Sequence, residues 1–138
     1  MNANELELIG IDTNVILRAV LRDDPRQSAA ADEFFRGLGP NRRGFITQLT
    51  LAEVYWVLSR TASLSREESL EVIRRLMRTE VLEFDDGESV VEALQLAAEG
   101  ADFADALINA TMRMFGTTDT FTFDRGASRR LGWRLLDA

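Results

Sequence analysis

Short apolar runs alternate along the chain with longer segments in which apolar residues recur every three or four positions. Such runs are typical of buried strands, and the longer segments are typical of amphipathic helices. The segment 50–62 shows the helical pattern most clearly. Its apolar face consists of Leu51, Val54, Tyr55 and Leu58. Turn residues separate the segments, as in Gly39-Pro40-Asn41.

This pattern predicts five strands that alternate with helices. The strands are predicted at residues 7–12, 44–47, 81–84, 118–123 and 133–136. The helices are predicted at residues 15–20, 25–37, 50–62, 65–78, 88–99 and 103–115. Parallel neighbours need helical crossovers, so the alternation predicts an α/β fold with a mainly parallel five-stranded sheet and helices on both faces. We expect one domain, residues 1–138, and assume the strand order 3-2-1-4-5.

The composition restricts the chemistry that this chain can perform. Among its 138 residues there is no His, no Cys and no Lys, and all 16 basic residues are Arg. An imidazole or thiol nucleophile, a Schiff base, a P-loop lysine and a thiolate zinc site are therefore excluded. The 23 acidic residues give a net charge of −7. Carboxylates that carry out chemistry would need a hard divalent cation.

Four carboxylates lie beside segments that are apolar enough to be buried. These are Asp12, Glu53, Asp105 and Asp124. Removing an ionised carboxylate from water is costly unless a cation or hydrogen-bond donors compensate it. Each position also has a structural explanation. Thr50 and Glu53, like Asp102 and Asp105, have capping-box spacing, while Asp12 and Asp124 precede helices where an N-cap belongs. For any one of these carboxylates, helix capping is the more frequent role. A functional interpretation therefore requires that the four carboxylates lie close together in the folded chain.

The assumed strand order would bring these four carboxylates to one edge of the sheet. Ligands of open α/β sheets bind at the carboxyl ends of the strands. Asp12 and Asp124 end the first and fourth strands, Glu53 lies early in the helix after the second strand, and Asp105 begins the helix before the fourth. Four adjacent carboxylates repel one another unless divalent cations neutralise them. Two such ions suit phosphodiester hydrolysis, because they supply a nucleophilic water without histidine.

Four blocks of sequence carry a resemblance to a known family. They are Asp12-Thr13-Asn14-Val15, Leu51-Ala52-Glu53-Val54, Ala101-Asp102-Phe103-Ala104-Asp105-Ala106-Leu107 and Thr122-Phe123-Asp124. In this order they resemble the signature of PIN-domain ribonucleases, and most closely the VapC-type toxins of bacterial toxin–antitoxin pairs. The resemblance spans nearly the whole chain and implies a PIN-like fold.

The resemblance further implies a Mg²⁺- or Mn²⁺-dependent endoribonuclease. Its catalytic and metal-binding residues would be Asp12, Glu53, Asp105 and Asp124. The implied partners are an RNA substrate, a second copy of the chain in a homodimer, and a cognate antitoxin whose C-terminal part covers the cleft.

Four neighbouring residues are candidates for supporting this site. The Asn14 amide would orient Asp12 or the attacking water, or would form an Asx turn at the helix start. The hydroxyls of Thr13 and Thr122 could bind the carboxylates or a phosphate, although β propensity alone explains a Thr in a strand. Asp102 is favoured as a cap with a possible supporting role beside Asp105.

RNA binding by so acidic a chain requires locally concentrated cations, because phosphates are neutralised by basic side chains. The candidates are Arg18, Arg22, Arg125, Arg129 and Arg130. Local ion pairs on a solvated face are the more frequent role for any one of them.

Three other functions remain open at this stage. A receiver-like signalling domain would use a lysine that the chain lacks. A phosphatase of the haloacid dehalogenase type would need a second aspartate where Asn14 stands. A binding protein without catalysis would not need all four carboxylates. No apolar run approaches the roughly 18 residues of a membrane span, and no secretory leader is indicated, so we expect a cytoplasmic protein without membrane contact.

Overall fold

The computed structural model describes residues 5–137. The chain divides into two compact units, residues 1–85 and residues 86–138, and each is described by itself. The single domain expected from length stays a prediction. None of the helices in the described range is long and apolar enough to cross a membrane.

The first unit is built on three parallel strands with helical connections. Its elements are β1 (Glu7–Gly10), α1 (Thr13–Leu21), α2 (Pro25–Arg36), β2 (Arg42–Ile46), α3 (Gln48–Trp56), a π-helical turn (Val57–Thr61), α4 (Arg66–Met77) and β3 (Leu82–Phe84). Strand β2 lies between β1 and β3. Gly44 is at its centre, paired with Ile9 and Leu82. A side chain there would collide with Ile11 and Leu82, because a Cβ would lie 2.5 and 2.7 Å from their methyl carbons.

The apolar periodicity of the first unit becomes its core. Completely buried side chains there include Ile16, Ile46, Leu51, Val54, Leu58, Leu70 and Ile73. The predicted capping box at the start of α4 is confirmed. The Glu68 amide donates to Ser65 Oγ at 3.0 Å, and the Ser65 amide donates to Glu68 Oε1 at 2.9 Å. This backbone hydrogen bond lowers the pKa of Glu68.

The second unit is a helical hairpin followed by a short parallel strand pair. Its elements are α5 (Gly87–Ala98), α6 (Phe103–Met114), β4 (Phe121–Thr122), α7 (Arg125–Leu131) and β5 (Arg134–Leu135). Small residues let α5 and α6 pack closely, since Ala93, Ala97 and Ala106 are completely buried with Phe103. Gly100 turns the chain between the two helices at φ +122°, a conformation that favours glycine.

The strand pairing agrees with the expected α/β class but does not confirm one five-stranded sheet. Within residues 5–137, three strands form one parallel sheet in the order β1-β2-β3, and β4 and β5 form a second parallel pair. The order of these three strands agrees with the 3-2-1 part of the assumed order, in which β2 lies between β1 and β3. The placement of the fourth and fifth strands beside β1 stays a prediction. The predicted fourth strand, 118–123, is shortened to two residues. Just before it, the Arg134 guanidinium pairs with the Asp119 carboxylate at 2.9 Å, and the Arg134 amide donates to Thr120 O as part of the β4–β5 pairing.

Candidate active site

Asp12 stands at the junction of β1 and α1. The strand ladder continues one residue past β1, where the Ile11 amide donates to Phe45 O at 3.0 Å. Asp12 is then the N-cap of α1, and its Oδ1 accepts from the Thr13 amide at 2.9 Å. The predicted cap is confirmed, yet the carboxylate is exposed. Among the described residues no donor contacts its second oxygen, which leaves that oxygen free for a ligand.

Glu53 has no capping role, so the predicted capping box with Thr50 is wrong. The N-cap of α3 is Thr47, whose hydroxyl accepts from the Thr50 amide at 3.2 Å. Glu53 is therefore the sixth residue of Gln48–Trp56, beyond the first turn in which amides lack partners. Its carboxylate accepts a hydrogen bond from the Thr13 hydroxyl at 3.4 Å.

Thr13 connects the two carboxylates of the first unit. It is 6% exposed, its amide binds Asp12, and its hydroxyl binds Glu53. The parallel pairing of β1 with β2 explains the proximity, because the carboxyl ends of both strands meet at one edge of the sheet. Of the contacts expected for the Thr13 hydroxyl, the one with Glu53 is present, whereas Asp12 is bound by the Thr13 amide.

In the second unit, Asp105 is half-buried between two other acids. Asp102 is the N-cap of α6 and accepts from the Asp105 amide at 3.0 Å, which confirms its predicted cap. The carboxylate of Asp105 is not part of this cap. Burial raises the pKa of Asp105, and the negative charges of Asp102 and Asp124 raise it further. The structure thus brings Asp105 and Asp124, predicted from distant sequence blocks, close enough for their charges to interact.

Asp124 is the N-cap of α7. Its Oδ1 accepts from the Gly126 amide at 2.7 Å and from the Ala127 amide at 3.1 Å, and the side chain is exposed. Thr122 fixes the backbone before this cap, because its hydroxyl accepts from the Asp124 amide at 2.9 Å. Thr122 therefore contacts the main chain of Asp124, whereas the sequence suggested a contact with a carboxylate or a phosphate.

A family model described as the PIN domain matches residues 9–131 of this chain. The chain belongs to the PIN domain family. PIN domains are generally metal-dependent nucleases, and PIN nucleases act on RNA. This membership does not favour the receiver or phosphatase alternatives. No curated protein sequence compared with the chain matches it.

The carboxylates of this PIN domain suit a divalent metal by the chemistry of their donor atoms. Carboxylate oxygens are hard ligands of the kind that Mg²⁺ and Mn²⁺ prefer. The pKa of Asp105 is raised first by burial and then by the negative charges of Asp102 and Asp124, and a bound cation would offset these effects. Within residues 5–137, no three metal-ligating side chains lie close enough together to hold a metal ion in this arrangement. A single site formed by Asp12, Glu53, Asp105 and Asp124 is therefore kept as a proposal.

Two contacts that sequence reasoning missed hold the acids of the second unit in place. The Arg130 guanidinium donates to Glu99 O at 3.0 Å and lies against Gly100, where a Cβ would be 2.7 Å from its Cζ. The Trp133 indole donates to Asn109 Oδ1 at 2.9 Å. These contacts connect α7 and the residues after it to α6 and the turn before it, which keeps Asp124 near Asp105. Of these two contacts, only that of Trp133 could have been expected from the sequence, because the N–H of a half-buried indole usually donates to an acceptor.

The arginines near the candidate site differ in their availability. Arg18 binds Asp23 and Gln27, and Arg22 makes a two-pronged contact with Asp32 that lowers the pKa of this carboxyl. The more frequent role, a local ion pair, is confirmed for both. Neither is free to bind RNA in this arrangement.

Asn14 is exposed and lines a groove of about 370 Å³ between α1 and α2. No hydrogen bond joins it to Asp12 in the described part of the chain, so its role in orienting Asp12 stays a prediction.

Proposed function

We propose that this PIN domain is a Mg²⁺- or Mn²⁺-dependent endoribonuclease, and that it is the VapC-type toxin of a toxin–antitoxin pair. The observation that carries the nuclease proposal is Asp105, a half-buried carboxyl next to two other acids in a chain without lysine or histidine. Repulsion between these carboxylates destabilises the fold unless a bound ligand neutralises their charge. A bound divalent cation offsets this cost and supplies the reactive water.

In this proposal Asp12, Glu53, Asp105 and Asp124 hold the metal ions. The ions would lower the pKa of a water and stabilise the charge on the leaving oxygen of the phosphodiester. Thr13 fixes the orientations of Asp12 and Glu53 through its amide and hydroxyl. Helix α7 fixes Asp124 by two amides that bind Oδ1, which leaves Oδ2 for the ion. The protein contributes the preorganised charges that phosphate hydrolysis requires.

The test of the nuclease function is cleavage of RNA by the purified protein. We expect cleavage with Mg²⁺ or Mn²⁺, loss of cleavage on chelation, and its return when the metal is restored. Asp12→Ala should be inactive under all of these conditions. Cleavage that is indifferent both to chelation and to Asp12→Ala would refute the proposal.

Two surfaces of the first unit support the proposed protein partners. On α3, Leu49 and Trp56 are 79% and 56% exposed, and helical spacing places them on one face with Glu53. This apolar exposure supports a homodimer. The α1–α2 groove has apolar lining residues, Val15 and Phe34 among them, beside the polar side chains of Asn14, Arg18 and Gln27. It would accept a segment of the antitoxin.

A toxin of this kind would act on RNA in the cytoplasm. Its expression alone should arrest bacterial growth, and co-expression of the neighbouring small open reading frame should restore it. Normal growth despite soluble, active protein would exclude the toxin role and leave the nuclease role intact.

Thr13→Val is expected to reduce RNA cleavage by about tenfold, because the change removes the hydroxyl that orients Glu53 while keeping the buried volume. Activity should be followed over a range of Mg²⁺ concentrations, since a misplaced ligand raises the metal requirement. The free energy of unfolding should change by only about 1 kcal/mol.

Thr79→Val is the matched control for this change. The Thr79 hydroxyl bonds to a backbone carbonyl, Arg75 O, at the exposed end of α4. It should leave both the rate and the metal requirement unchanged. Equal behaviour of the two variants would remove Thr13 from the proposed site.

A further inference from the structure

Most arginines in this chain are engaged by acids. Ion pairs hold Arg18, Arg22, Arg36, Arg42, Arg43, Arg74, Arg75, Arg78, Arg113 and Arg134. Within residues 5–137, Arg125 and Arg129 form no ion pair and no side-chain hydrogen bond. In a chain with a net charge of −7, cations without an acidic partner are unexpected.

Helical geometry places Arg125 and Arg129 together. They are four residues apart in α7 (Arg125–Leu131) and both are exposed, so they share one face at a separation of roughly 6 Å along the axis. Their neighbour Arg130 is engaged elsewhere, because it binds Glu99 O. Arg26 and Arg60, which also form no ion pair within the described range, stand singly on different elements of the first unit. Arg125 and Arg129 thus differ from these two arginines because they lie next to each other on one helix.

This placement opposes the stability of the helix. Like charges four residues apart repel each other. Arg125 is the first residue of α7, where the helix dipole disfavours a cation, whereas Arg129 lies in the last turn, where the dipole favours one. The described residues supply no compensating ion pair. An external anion would relieve both costs.

We propose that Arg125 and Arg129 bind backbone phosphates of the RNA substrate beside Asp124. This inference rests on the proposed nuclease function and assigns where the substrate is held. Two divalent cations would leave the chain at about −3, which still repels RNA, so attraction has to be local. The planar guanidinium binds a phosphate through two parallel hydrogen bonds. Arg125 directly follows Asp124 in sequence, so the bound phosphates would flank the carboxylates.

The test measures RNA affinity separately from cleavage. Asp105→Asn serves as the parent so that the RNA is not consumed, and Arg125→Ala and Arg129→Ala are made in it. A labelled short single-stranded RNA is titrated in Mg²⁺, with fluorescence anisotropy read from about 50 to about 200 mM salt. Each change should weaken binding by about tenfold. The slope of log affinity against log salt should flatten by about 0.7 for each phosphate that no longer has its arginine.

Arg75→Ala is the control with the same change in net charge. Arg75 is 78% exposed, and its partner Glu71 keeps Arg74 and Arg78 after the change. It should alter neither the affinity nor the slope. Arg125→Lys and Arg129→Lys keep the charge and should retain the slope while binding RNA less tightly than the parent.

The possible results separate this inference from the nuclease proposal. If Arg125→Ala and Arg129→Ala bind RNA as Arg75→Ala does, the phosphate site is overturned, whether or not the wild-type protein cleaves RNA. If both show weaker binding and a flatter slope while the wild-type protein cleaves nothing, the phosphate site stands and the nuclease proposal fails.

Discussion

Asp105→Asn is expected to abolish RNA cleavage, by about 1,000-fold or more, and yet to stabilise the metal-free protein. The amide keeps the shape of the side chain but removes the charge that would bind the cation. It also removes a half-buried charge that Asp102 and Asp124 repel. Loss of activity with a gain in stability is the pattern of a functional residue that is kept at a cost to the fold.

The pH dependence of stability follows from the direction of the pKa shift. Burial and two like charges raise the pKa of Asp105 above its usual value of 3.8. The folded state therefore binds this proton more readily than the unfolded state. The contribution is favourable below the usual pKa and is lost as the pH rises through the folded-state pKa. The melting temperature of Asp105→Asn should exceed that of the wild type by a few degrees at neutral pH without metal, and the difference should vanish in acid.

Thermal unfolding at several pH values and Mn²⁺ calorimetry check this prediction. Mn²⁺ should raise the melting temperature of the wild type and leave that of Asp105→Asn nearly unchanged. Asp24→Asn is a suitable control, because Asp24 caps α2 through one carboxylate oxygen and asparagine caps equally well. Wild-type rates of cleavage by Asp105→Asn would exclude this carboxyl from the site.

Local sequence signals predicted most of the helices and the chemistry of the acids. The box of Ser65 and Glu68 is self-contained within one turn, so the sequence alone determined it. Asp12, Asp102 and Asp124 are caps because each is a good acceptor at the entry to a helical segment. These predictions needed no information about tertiary structure.

The errors arose where a competing partner came from elsewhere in the chain. Thr47 and Thr50 are both possible caps, and the end of β2 at Ile46 selects the earlier one. Just before the short fourth strand, Asp119 pairs with Arg134, which lies 15 residues away along the chain. The contact of Arg130 with Glu99 depends on the glycine turn at residue 100. Strand propensity and helical periodicity do not predict any of these pairings.

The carboxylates show why sequence could not separate capping from catalysis. Asp124 caps α7 with Oδ1 and also raises the pKa of Asp105, so one side chain has both effects. For Asp124 the two competing explanations are therefore compatible. They differ in one property, because a cap needs an acceptor atom whereas a metal ligand of this kind needs a charge.

Asp124→Asn separates these two properties. Asparagine is as good an N-cap as aspartate, so the free energy of unfolding should stay within about 0.5 kcal/mol of the wild-type value. Cleavage of RNA should fall by about 1,000-fold, because the neutral amide no longer balances the charge of the cation. Asp124→Ala should lose the cap as well, at an additional cost of about 1 kcal/mol.

Asp24 provides a matched control for these changes, since its Oδ1 accepts from the amides two and three residues ahead, Arg26 and Gln27, just as Asp124 does. Asp24→Ala should destabilise the protein as Asp124→Ala does, and Asp24→Asn should be neutral in both stability and cleavage. Equal activity of Asp124→Asn and Asp24→Asn would mean that Asp124 is a cap alone. Inactive Asp124→Asn with unchanged stability would assign it a charge-dependent role that helix capping does not explain.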